Sequence, residues 1–213
     1  YFIKYESDKK MQQSSKYPKV ASGCVKPFER NEFRKRSKIR DDACLSKLID
    51  FYIIKNPSID SNKNPTTVKY FDIKEKWGND CWRKNDGSLK NMLIETVDNY
   101  KHRVYYKKSA NDMKEIIELQ QLNNLDKLPS HDVFCFVDSC KNVFNSIFRH
   151  IRNSFAHGRF FVYRKDNNDY IFMEDTYKNK VTSRIVVKVE TLIKWIDLIT
   201  CKVNINNMTE KRP

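Results

Sequence analysis

Between Phe148 and Phe160 the chain places Arg149, His150, Arg152, Asn153, His157 and Arg159 within a dozen positions. These residue types suit chemistry on a phosphodiester. RNA carries its own nucleophile, the 2′-hydroxyl. Cleavage requires that hydroxyl to lose its proton, the phosphorane-like transition state to be neutralised, and the leaving oxygen to gain a proton. A histidine serves as acid or base near neutral pH. An arginine grips phosphate bidentately and keeps its charge as charge builds up opposite it. Asn153 could position a phosphate oxygen or hold His157 in one tautomer. Nothing in this set requires a metal ion or a cofactor, and none is expected.

The spacing constrains how these groups meet. At about 100° per residue, His150, Asn153 and His157 fall within roughly a 60° sector of a helix. Arg152 lies about 140° from His157 on an ideal helix. It must therefore wrap round, act across an interface, or sit where the helix is distorted. Arg149 neighbours Arg152 at i+3 and could add a phosphate contact; a solvated surface role is the plainer alternative.

The motif sits at the end of a strong apolar pattern. Val133, Phe136, Val137, Cys140, Phe144, Ile147, Phe148, Ile151 and Phe155 recur near the helical period. The spacing predicts one long helix, capped by Ser130 and ended by Gly158 in the left-handed position. His157 would then lie in the last turn, where the negative end of the helix dipole favours its protonated form. After it, 159–164 and 170–173 read as a hairpin, 181–187 as a third strand, and 189–201 as a final amphipathic helix.

Upstream signals are weaker. A helix is predicted from Ser37 to Asn56-Pro57, and a loop over 56–67 is the candidate domain boundary. A short strand at 68–73, a helix capped by Ser88 running to about Tyr106, and a helix started by Ser109-Ala110-Asn111-Asp112 follow. The expected organisation is a basic arm over 1–36, a helical domain over 37–203 and a frayed tail over 204–213.

The Arg152-Asn153-x3-His157 pattern, followed by Gly158 and led by a long helix, resembles the active-site signature of the HEPN ribonuclease superfamily. The resemblance is sharp over 135–160, extends to about 203, and is vague before residue 85. It implies a mostly α fold: a HEPN-like helical bundle with a small β-hairpin or sheet inserted between the motif helix and the last helix. It implies catalysis by Arg152, Asn153 and His157, with Arg149, His150 and Arg159 as RNA contacts. It further implies metal-independent cleavage leaving a 2′,3′-cyclic phosphate, work as a homodimer, and a role in abortive infection or toxin–antitoxin defence, with an antitoxin or activating partner. Some family toxins are silenced by nucleotidylation of a tyrosine two residues after the motif histidine. Arg159 holds that position here, which speaks against that control.

Composition agrees with a polyanionic partner, nucleic acid first and a membrane surface second. The 213 residues carry a formal charge of +14, and residues 1–40 hold 12 basic against 4 acidic side chains. That bias fits a nucleic-acid contact or a solvated arm equally. A transmembrane run and the apolar core of a signal peptide are both missing, so no membrane partner is expected. The chain opens on Tyr1 rather than Met, which leaves room for residues upstream. The six cysteines, at 24, 44, 81, 135, 140 and 201, form no Cys-x2-Cys pair. They read as reduced core residues of a cytoplasmic protein, Cys135 being a buried thiol one helical turn from His131. The rival functions are a non-catalytic RNA-binding or interaction module on the same fold, and a DNA-binding regulator, for which no helix-turn-helix is apparent.

Overall fold

A mixed β-sheet, rather than a helical bundle, organises the chain. The computed structural model describes residues 23–37, 42–60, 62–83, 88–138 and 142–201. Among them, five strands, β1 (Val104–Lys107), β2 (Val133–Val137), β3 (Phe160–Lys165), β4 (Asn168–Tyr177) and β5 (Lys180–Lys188), lie in the order β1-β2-β5-β4-β3. β1 pairs parallel to β2, and the other neighbours are antiparallel. Helices pack on both faces, so the mostly α expectation is corrected to an α/β fold.

The error traces to β2. Val133-Phe134-Cys135-Phe136-Val137 is apolar at every position, so it satisfies a helical stripe and a doubly buried strand equally. Its β-branched and aromatic side chains suit the pleated surface. Phe134 and Phe136 enter the core on one face of the sheet; Val133 and Cys135 enter the core on the other. Cys135 is therefore a buried thiol, as expected, but on a strand, and burial pushes its pKa up. The helix starts afresh at Asn142, whose side chain accepts from the N–H groups of Phe144 and Asn145.

One layer contains α2 (Asp42–Ile49) with the π-helical segment Asp50–Ile54 that continues it, α4 (Leu89–Glu95), α6 (Val143–Ala156) and α7 (Val189–Thr200). Trp195 of α7 stacks on Phe134 of β2, with ring centroids 5.6 Å apart. The buried Asn56 amide donates to the carbonyls of Tyr52 and Phe148, which joins the π-helical end to α6. The opposite layer holds α1 (Arg30–Arg36) and α5 (Met113–Leu119), with Phe33, Met113 and Ile117 against Phe161 and Phe172.

Other differences are local. The expected strand at 68–73 is not formed; Asp72 instead caps the short helix α3 (Ile73–Trp77) by accepting from Lys74 and Glu75 N–H. The helix expected to reach Tyr106 stops at Glu95, and left-handed Asn99 turns the chain toward β1. The hairpin and third strand fall where expected, but they are three of the five strands and not a small insertion. Residues 23–36, expected as part of an arm, lie against the sheet: Phe33 is buried, and Val181 N–H donates to the Val25 carbonyl. Residues 1–22 and the tail from 204 lie outside the described residues. Cys81 is buried, while Cys24 and Cys201 are exposed. No helix among the described residues is long and apolar enough to cross a membrane.

Candidate active site

Helix α6 carries the motif because its apolar side, Phe144, Ile147, Phe148, Ile151 and Phe155, is buried against the sheet and the π-helical segment. Its end is tightly specified. Gly158 takes φ +62°, its N–H donates to the Phe155 carbonyl, and Arg159 N–H donates to the Ser154 carbonyl at 2.9 Å. This paired closure is the Schellman arrangement, which the glycine permits without a Cβ clash.

Arg152 and Asn153 are brought together. Arg152 Nη1 donates to Asn153 Oδ1 at 3.1 Å, and Asn153 Nδ2 donates to Asp175 Oδ2 at 3.2 Å. The same carboxylate oxygen meets His150 Nδ1 at 2.7 Å, and His150 Nε2 lies 2.9 Å from the Val137 carbonyl. The His150 ring bridges a carboxylate oxygen and a backbone carbonyl, one on each nitrogen. A chain of polar contacts thus runs from the end of β2 through His150, Asp175 and Asn153 to Arg152. Burial alone would raise the Asp175 carboxyl, but the His150 hydrogen bond and charge, the Asn153 amide and the Thr176 N–H together hold it below its ordinary value.

Arg152 is half-buried, and its Nε is buried with no partner among the described residues. His157 caps the helix with its backbone N–H on the Asn153 carbonyl, and its side chain is exposed. Among the described residues the His157 ring makes no hydrogen bond, ion pair or ring contact. The motif therefore presents a braced Arg–Asn pair and, one turn further on, a solvent-facing imidazole.

The residues expected to assist are placed differently. Arg149 is half-buried on α6. His150 is only 1% exposed and is committed to Asp175 and Val137. Arg159 is also buried, on the other face of the sheet, where Nε and Nη2 both meet Glu174 Oε1 and Nη2 also donates to the Phe28 carbonyl at 2.6 Å. As placed, His150 and Arg159 are both buried and each is paired with a carboxylate. The physical reason is that helical phase and strand parity, not proximity in sequence, decide which way a side chain faces.

Asp175 stands in the polar stretch 174–180, between the expected hairpin and the third strand, where the sequence marks no site. Its signal was present in Tyr170-Ile171-Phe172-Met173, a run too apolar to end at an exposed turn. Arg184, beside Ile185-Val186-Val187 in the strand expected over 181–187, is a second signal: a charge inside a buried strand needs an opposite partner. Glu174 is that partner.

Residues 84–210 match the model of a family described as HEPN pEK499 p136. No curated protein and no solved structure matches the chain.

Proposed function

We propose a function for a chain that belongs to the HEPN pEK499 p136 family: it is a metal-independent endoribonuclease of the toxin or anti-phage defence type. The observation that carries this reading is the exposed His157 one helical turn beyond an Arg152–Asn153 pair that Asp175 braces from below. The RNA 2′-oxygen attacks phosphorus, the bond to the 5′-oxygen breaks, and a 2′,3′-cyclic phosphate remains. His157 transfers the proton between the entering or leaving oxygen and solvent. Arg152 neutralises the phosphorane through the guanidinium nitrogens that Asn153 does not occupy. Each chain places one exposed histidine, His157, at the motif, whereas the reaction uses an acid and a base. A two-fold pairing of α6 ends would supply both, so a homodimer is part of the proposal.

A second reading rests on one observation. Asn153 uses its amide oxygen on Arg152 and its amide nitrogen on Asp175, so the pair could be a fixed structural feature of a non-catalytic RNA-binding module. One experiment separates the two. RNA is incubated with wild type, Arg152→Ala and His157→Ala, all in the presence of a chelator. Wild type should cleave, and His157→Ala should lose roughly 10²–10⁴-fold of the rate. Mixed Arg152→Ala and His157→Ala chains should recover part of the activity through a composite site. Wild-type cleavage that stops with chelator sinks the metal-independent version; RNA binding without cleavage favours the module.

A further inference from the structure

A cavity of about 430 Å³ lies between α1 and the edge strand β3, lined by Lys35, Arg36, Arg164 and Lys165 beside Tyr163, with Asp126 as its carboxylate. Four cations against one acid is a far steeper bias than the 41 basic and 27 acidic residues of the whole chain. Three of the cations already have partners. Lys35 Nζ lies 3.3 Å from Glu32 Oε1, and Arg36 Nη2 lies 3.8 Å from Glu32 Oε2. Arg36 Nη2 meets Asp126 Oδ1 at 2.9 Å, and Lys165 Nζ donates to the Leu128 carbonyl at 2.7 Å, which leaves its other two protons for a ligand. Lys35 is 72% exposed beside Glu32. Arg164 is exposed and has no hydrogen bond or ion pair among the described residues.

The groove also has a direction. β3 begins at Phe160, three residues past His157, and Ser37 at the end of α1 reaches the Phe160 carbonyl at 3.4 Å. From Phe160 to Lys165 the strand advances roughly 16 Å. The cations therefore continue away from the motif end along the sheet edge. Phe161, at the groove floor, is buried, and the Tyr163 hydroxyl is committed to the Pro129 carbonyl at 2.6 Å. The exposed chemistry is charge without an open aromatic platform, which suits phosphates and not base stacking.

We propose that the α1–β3 groove binds the phosphodiester backbone of single-stranded RNA and holds the strand that leads from the motif. The choice of RNA as the polyanion rests on the ribonuclease reading; the groove itself rests on its charge and place. The test uses a fluorescently labelled single-stranded oligoribonucleotide in anisotropy titrations at several salt concentrations, on a His157→Ala background so that cleavage is slow beside the titration. Lys35→Gln/Arg164→Gln removes two groove charges. Lys69→Gln/Lys101→Gln removes two exposed charges elsewhere and keeps the net charge equal. The groove pair should weaken binding by about tenfold or more and make the log–log salt dependence shallower by roughly 1.4, while the control pair stays near the parent. Circular dichroism and thermal unfolding confirm that both pairs fold. Equal losses in the two pairs, or no loss in either, would overturn the proposal. Wild-type protein that binds through the groove without cleaving would remove the ribonuclease reading and keep the groove. Cleavage and binding untouched by the groove pair would do the reverse.

Discussion

Glu174 and Asp175 are consecutive on β4, yet they organise two different regions. Glu174 faces the α1 side and is fully buried between Arg159 and Arg184. The two guanidiniums also donate to the carbonyls of Phe28, Lys26 and Leu122, and the Phe28 N–H returns to the Glu174 carboxylate. Arg184 lies 3.9 Å from the centroid of the Phe28 ring. Burial pulls the Arg184 pKa down while Glu174 opposes that, as expected for a charge held inside by its partner. This cluster closes on itself and fastens the 23–36 segment to the sheet.

Asp175 faces α6, and its cluster opens outward. His150 is the buried end, Asn153 is half-buried, and the half-buried Arg152 carries the chain of contacts toward the surface. A buried ion pair is weak grounds for function by itself. The difference between the two clusters lies in their outer ends: one ends on backbone carbonyls, the other on a guanidinium with nitrogens to spare.

The largest expected effect breaks the closed cluster. Glu174→Gln leaves two buried guanidiniums without a counter-charge, and unfolding in urea should show a loss of about 3–5 kcal/mol. A midpoint close to wild type would mean that the arginines relax to solvent and that the 23–36 segment is not fastened there.

Asp175→Asn should cost less stability, roughly 1–3 kcal/mol, because an amide still fills the space and accepts one hydrogen bond. Its signature is a fall in RNA cleavage beyond any loss of folded protein, measured well below the unfolding temperature. The pH dependence sharpens the comparison. The folded carboxyl titrates below its ordinary value of 3.8, so the unfolded chain binds more protons in that range. Its stabilisation is complete above that value and is lost as pH falls below it. The stability curve of Asp175→Asn should therefore be flatter than wild type on the acid side of about pH 4. Full cleavage activity in this variant would assign the Asp175 cluster to stability alone, like its neighbour.

The smallest effect concerns the helix end that the open cluster serves. A Cβ at Gly158 meets nothing within 4 Å, so Gly158→Ala pays only for its positive φ. Thermal unfolding should show a loss of about 1–2 kcal/mol. Cleavage should fall more than this stability loss accounts for if the Schellman closure sets where His157 points; a proportionate fall would show that it does not.

Much of the local structure was legible in the residues. The end of α6 at Gly158, the strands after it, helix α7 and the stop before Asn56-Pro57 all follow from capping, proline and turn chemistry, which act within a few residues. The adjacency of Arg152 and Asn153 and the terminal place of His157 follow from the same local rules. The tertiary structure decided what depends on distant partners. Val133–Val137 became a strand because β1 and β5 flank it and both its faces meet a core, which no periodicity in five apolar residues can report. His150 turned inward and Arg159 turned to the opposite face because Asp175 and Glu174, on a strand 15 to 25 residues further along, wait on opposite sides of one sheet. A buried charge is tolerable only where its partner already stands, and that place is set by strand pairing across the fold and not by the neighbouring sequence.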